Sequence, residues 1–115
     1  MAAETVEVDQ RVLGETHPYT LFASAILGAA LGRSGQLQRA IGVLDSSHRQ
    51  AAEKFGTDHM ITVIAAEYLA EMLYLSGDYA QAETLLTHVV AIHSQRLGDD
   101  SPETVAAETL LNKVQ

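Results

Sequence analysis

The chain has 115 residues, no cysteine, and fifteen Asp and Glu against seven Lys and Arg, a formal net charge of −8. A surplus of that size opposes binding to polyanions such as nucleic acid or an acidic membrane surface. The missing cysteine removes disulfide frameworks, thiolate metal sites and cysteine nucleophiles, and fits a cytoplasmic setting, while a hydrophobic fraction of 47% lets one domain form a core without metal or disulfide staples.

The N-terminus carries Glu4, Glu7 and Asp9 where a secretory or mitochondrial signal would be basic and then apolar. The longest apolar stretch, Leu21 to Leu31, is well short of the roughly 20 residues a membrane span needs. Within and beside it, Gly28 and Gly32 stand at G-x-x-x-G spacing, which here reads as close packing between helices.

Punctuation recurs along the chain. Leu13-Gly14-Glu15-Thr16-His17 returns as Phe55-Gly56-Thr57-Asp58-His59 and again as Leu97-Gly98-Asp99-Asp100-Ser101, so that one constant offset separates positions 13, 55 and 97. The same offset aligns Thr20 with Thr62, Leu27 with Leu69, Leu31 with Leu73, Ser34-Gly35 with Ser76-Gly77, Ala40 with Ala82 and Leu44 with Leu86. Agreement at turns and packing positions predicts stacked structural repeats, each burying its apolar face against its neighbours. In chain order, residues 1–12 read as the tail of a preceding second helix, 13–54 as the first repeat, 55–96 as the second, and 97–115 as the first helix of a truncated third. The chain is therefore expected to be a piece of a longer array.

Each unit predicts two helices. In the second unit, Asp58 or His59 is the candidate cap of a segment that runs to about Leu75 and is apolar almost all round, as a helix packed on two sides should be. Ser76-Gly77-Asp78 ends it. The next segment places Tyr79, Ala82, Leu85, Leu86, Val89, Ile92 and His93 at helical intervals and so reads as amphipathic, until Leu97-Gly98 stops it. Gly14, Gly56 and Gly98 suit a left-handed residue just past a helix end, and Pro18 and Pro102 suit the first turn of the next helix.

A helical hairpin with Leu69-Ala70 and Leu73 in its first helix, then Gly77, Tyr79, Ala82 and Leu86 opening its second, resembles the tetratricopeptide repeat. The first unit matches with Leu27-Gly28, Leu31, Gly35, Leu37, Ala40 and Leu44. The usual period of that family is about 34 residues. The longer period here, from Leu13 to Phe55 to Leu97, with Leu-Gly-x-x-His-Pro-x-Thr-Leu between units (Leu13 to Leu21), is similar to its kinesin-light-chain type. The resemblance implies an all-α fold, a right-handed α-solenoid of antiparallel helix pairs, and a non-enzymatic module that binds a protein or peptide, within a larger scaffold or signalling protein.

It also implies that the first helix of each unit lines a concave groove. The groove-facing positions are then Phe22, Ala25, Ile26, Ala29, Gly32 and Arg33 in the first unit. In the second they are Ile64, Glu67, Tyr68, Glu71, Tyr74 and Leu75, and in the third Ala106, Thr109, Leu110 and Lys113. Such a groove is apolar at the first unit and acidic with aromatic edges at the second, which suits a basic or aliphatic peptide. Where some relatives hold a C-terminal carboxylate with Asn, Lys and Arg, this chain has Ala25, Ala29, Glu67 and Glu71, so that mode of capture is not expected.

Catalytic and metal chemistry find little support. Glu67 and Glu71 share a helix face at i, i+4 and could act as acid and base or bind a metal, but no other ligand type is positioned near them in the sequence. His88 and His93 lie five apart, about 140° round a helix, and cannot hold one ion together as an i, i+4 pair can. His17 and His59 read as helix-start residues. No nucleophile elbow, zinc-protease or glycine-rich phosphate pattern occurs, and neither a cofactor nor a metal is expected. The alternative to peptide binding is a structural spacer that self-associates through its terminal helices.

Overall fold

The computed structural model describes residues 17–115. These form five helices: α1 (Pro18–Arg33), α2 (Leu37–Phe55), α3 (Met60–Ser76), α4 (Tyr79–Leu97) and α5 (Pro102–Val114), with no strand among the described residues. The expected tail of a preceding helix, residues 1–12, and the start of the first repeat at Leu13 lie outside them. The helices pair as α1 with α2 and α3 with α4, and α5 begins a third layer.

Four evenly spaced glycines punctuate these layers. Gly35, Gly56, Gly77 and Gly98 each stand just past a helix, and each has φ between 92° and 97°. They are of two kinds. After a first helix, Gly77 is left-handed with ψ 2°, its N–H donating to the Tyr74 carbonyl and that of Asp78 to the Leu73 carbonyl at 2.9 Å. Gly35 and Gln36 donate in the same pattern to Gly32 and Leu31. These bonds satisfy carbonyls that the helix end would leave open.

After a second helix, Gly56 and Gly98 keep the positive φ but have ψ of 161° and 158°. The expected sign of φ is found, while the extended ψ places them in a region essentially restricted to glycine. There the chain turns into the next layer, and the buried hydroxyls of Thr62 and Thr104 donate to the carbonyls of Gly56 and Gly98, both at 2.8 Å. Thr20 stands at the same position in the first unit, and the matching Gly14 lies outside the described residues.

Helix starts repeat as well. The Nδ1 atoms of His17 and His59 accept from the N–H groups of Tyr19 and Ile61 at 3.1 Å, so His59 rather than Asp58 caps α3. Pro18 and Pro102 occupy the first turns of α1 and α5, where a missing N–H costs no helical bond.

The core runs through the stack and is rich in alanine and leucine: Ala25, Ala40, Leu44, Ala65, Ala70, Met72, Ala82 and Leu86 are all fully buried. Small residues set the helix separations. A Cβ at Gly28 would lie 2.5 Å from the Leu44 Cγ on α2, and one at Gly32 would overlap the Met72 sulfur on α3. The first helices α1 and α3 thus pack directly, whereas the backbones of α2 and α4 do not approach each other. The stack is closed along its first helices and open along its second.

A candidate protein-interaction groove

Along the closed side, α1, α3 and α5 lie side by side and present their outer faces together. Between α1 and α3 is a depression of about 350 Å³ lined by Phe22, Ile64, Glu67, Tyr68 and Glu71. The periodicity explains the grouping. Phe22 and Ile64 are one full period apart and so occupy one row across the layers, while Tyr68 and Glu71 follow Ile64 by one helical turn and two. The Arg33 guanidinium, at the end of α1, stands over the Tyr68 ring at 5.8 Å from its centroid, a cation–π arrangement. Ile26 and Leu75 are exposed, as are Thr109 and Lys113 on α5.

Ala25 and Ala29 correct the sequence reading. They are 0% and 1% exposed and belong to the packed interior, so neither offers a ligand a surface. Gly32 likewise faces Met72. Tyr74, which occupies the Gly32 position in the second unit, is partly buried against the core and packs on Tyr79 with ring centroids 5.8 Å apart. The resemblance assigns these positions to the groove, and a helix flanked on both sides has no purely polar stripe to mark which face stays free.

Glu67 is also more constrained than its spacing indicates. Its carboxylate meets the His93 Nε2 on α4 at 3.1 Å, with His93 almost wholly enclosed. In the first unit the two equivalent places are held by Ala25 and Ala51, both fully buried. The second unit has therefore exchanged an alanine pair for a polar pair at the same seam between its two helices. Glu67 and His93 are far apart in the chain, and comparing the two copies position by position is the signal that exposes their pairing. Glu71, one turn on, has no such hydrogen-bond partner among the described residues and gives the depression its acidic character.

The remaining histidines serve the frame. His88 lies 3.1 Å from the Asp58 carboxylate and 3.2 Å from the Thr57 carbonyl, and the Arg96 guanidinium donates to the Asp58 carbonyl, so α4 is fastened to the turn before α3. His48 on α2 is half-buried, and its loss of hydration lowers its pKa below the usual histidine range. Asp45 partly offsets that effect and His88 reinforces it. Among the described residues no group of three or more His, Asp or Glu stands together to hold a metal ion, and no helix is long and apolar enough to cross a membrane.

Paired antiparallel helices stacked at a fixed interval, with first helices lining one face, define a helical-hairpin solenoid. The sequence profile of the family described as tetratricopeptide repeat matches residues 24–95, and the chain belongs to that family. Its structure is similar to the crystal structure of a Podosopora anserina protein described as a kinesin light chain with nearly identical TPR-like repeats, with a TM-score of 0.91 and 25% identity over 98% of this chain and 54% of that one. A single-substitution variant of that protein gives the same TM-score and identity over 98% and 53%. The chain thus spans about half the length of these structures. No curated protein matches it. Tetratricopeptide repeats are in general protein-interaction modules, and the long repeat unit places this chain with the kinesin-light-chain-like type.

Proposed function

We propose that the chain is a non-enzymatic interaction module whose groove between α1 and α3 receives a partner peptide through a basic side chain flanked by aliphatic residues. The observation that carries this reading is the depression walled by Phe22, Ile64 and Tyr68 and edged by Glu71 and Glu67. A lysine or arginine has a matching chemistry, because its methylene stem packs on apolar walls while its head meets a carboxylate. Arg33 already stands over the Tyr68 ring, so the incoming head group meets the carboxylate edge and Tyr68 serves as an apolar wall. Net charge of −8 favours encounter with such a segment.

Titration calorimetry with a lysine-containing aliphatic peptide tests the reading, with Glu71→Lys and Phe22→Ala as variants that leave the Glu67–His93 pair in place. Each should weaken binding at least tenfold, about 1.4 kcal/mol, and high salt should weaken the wild-type complex. Unchanged affinity in both variants refutes the groove. Self-association through α5 is the less favoured reading. Glu108 and Asn112 stand on α5 where the second unit buries Ala66 and Ala70, and both are exposed. A second copy docking there would have to strip water from them.

A further inference from the structure

We propose that the open channel between α2 and α4 is a second docking surface, which takes an extended partner segment carrying lysine or arginine between aliphatic residues. It lies along the second helices, away from the groove between α1 and α3, and does not depend on that groove.

The channel exists because α2 and α4 stay apart while α1 and α3 close. Two adjoining depressions of about 370 and 390 Å³ fill it and share Asp45, Leu69 and Gln81. Ile41, Leu73 and Leu85 extend the apolar floor, and Asp45 and Asp78 supply carboxylates. Among the described residues no lysine or arginine lines either depression, and burial keeps the His48 pKa below its usual range, which favours the uncharged ring there at neutral pH. Arg49 pairs with Asp45 at 3.0 Å, but across an exposed surface, where such a pair contributes little and an incoming cation can share the carboxylate.

Gly42 points to an occupant other than the described helices. It sits in the interior of α2, where glycine costs about 1 kcal/mol relative to alanine. Gly28 and Gly32 offset that cost through close packing, yet a Cβ at Gly42 would meet nothing within 4 Å among the described residues. Gly42 nevertheless lines the channel, and the missing side chain leaves room for another backbone to settle on α2. From Gln38 to His48 the channel follows α2 for about 15 Å at the helical rise. That length holds roughly four or five residues of extended chain at about 3.3 Å each. Alternation along such a segment sends aliphatic side chains to the Leu69 and Leu85 floor and leaves the cationic ones at the rim beside Asp45 and Asp78.

The probe is the peptide acetyl-Leu-Arg-Leu-Lys-Leu-amide, with acetyl-Leu-Glu-Leu-Glu-Leu-amide as control, titrated into the isotope-labelled chain and read by amide chemical shifts. The backbone amides of Gly42, Asp45, Gln81 and Thr84 should shift saturably with the basic peptide and stay still with the acidic one. Those shifts should persist in Glu71→Lys, which disables only the other groove. They should require at least tenfold more peptide in Gly42→Gln, which fills the channel while improving helix propensity and therefore keeps the fold. Still amides, equal response to the acidic peptide, or unaltered affinity in Gly42→Gln would each overturn the proposal. So would concentration-dependent shifts at these amides without peptide, which would assign the channel to a second copy.

Discussion

Three helical glycines form a matched experiment on what sets the helix spacing. Alanine at any helix interior gains about 1 kcal/mol over glycine from reduced backbone entropy in the unfolded chain. At Gly42 nothing among the described residues opposes that gain, because the new methyl enters open space there. Gly42→Ala should therefore stabilise the chain by about 1 kcal/mol, a rise in Tm of about 4 °C for a domain of this size. At Gly28 the methyl would arrive 2.5 Å from the Cγ of Leu44, a branch point in a fully enclosed side chain with no free end to swing aside. Overpacking of that kind costs about 1–3 kcal/mol, so Gly28→Ala should be neutral to destabilising by about 2 kcal/mol once the propensity gain is subtracted. Gly32→Ala meets the Met72 sulfur, which is buried but flexible, and should fall between the two. Urea unfolding followed by circular dichroism, with the slope m checked for constancy, measures all three. If Gly28→Ala stabilised as much as Gly42→Ala, close approach of α1 to α2 would not depend on the missing side chain.

Other substitutions test the connections between layers. Thr62→Val removes the hydroxyl that donates to the Gly56 carbonyl while keeping the side-chain shape, and should cost about 1–3 kcal/mol in urea unfolding; a loss below a few tenths would show that water replaces it. Replacing Glu67 and His93 together by alanine reproduces the first unit's Ala25 and Ala51, and should cost less than the two single alanine variants added, because each single leaves one polar partner enclosed. Strict additivity in that cycle would remove the coupling. For His48, a folded-state pKa below the unfolded value of about 6.5 means that the unfolded chain binds more protons between the two. The associated stability is present above about pH 6.5 and is lost as pH falls through the folded pKa. The Tm of the wild type should accordingly fall more steeply than that of His48→Gln on acidification from about pH 7.5 to about pH 5, and parallel curves would refute the assignment.

The period, the turn positions and the helix pairing were legible in the sequence because glycine, proline and capping residues act locally and recur at fixed offsets. The depression between α1 and α3 was legible in part. Phe22, Ile64, Glu67, Tyr68 and Glu71 do come together, since residues one period apart must lie in a row across adjacent layers. Ala25 and Ala29 fall outside it because α1, almost uniformly apolar, gives no periodic contrast between a face turned to solvent and one turned to α2 or α3. The Glu67–His93 contact and the separation of α2 from α4 depend on how the layers settle against each other, which no single helix records. Gly42 shows the limit well: in the sequence it resembles Gly28 and Gly32, and only the space around it tells them apart.

The alternation of two turn types has a consequence for how such a chain can change in length. Although each helix with its turn spans the same distance along the chain, from Gly35 to Gly56 to Gly77 to Gly98, successive segments are not interchangeable. Gly56 and Gly98 carry the extended ψ and a carbonyl bound by a threonine from the following helix, whereas Gly77 between them is left-handed. Deleting a single helix with its turn would bring the wrong kind of turn to that threonine and set an amphipathic helix where one enclosed on both sides belongs. Duplication or loss of a full period preserves both, so the heritable quantum of growth in this molecule is the whole hairpin, and insertions of any other length must be absorbed in the loops.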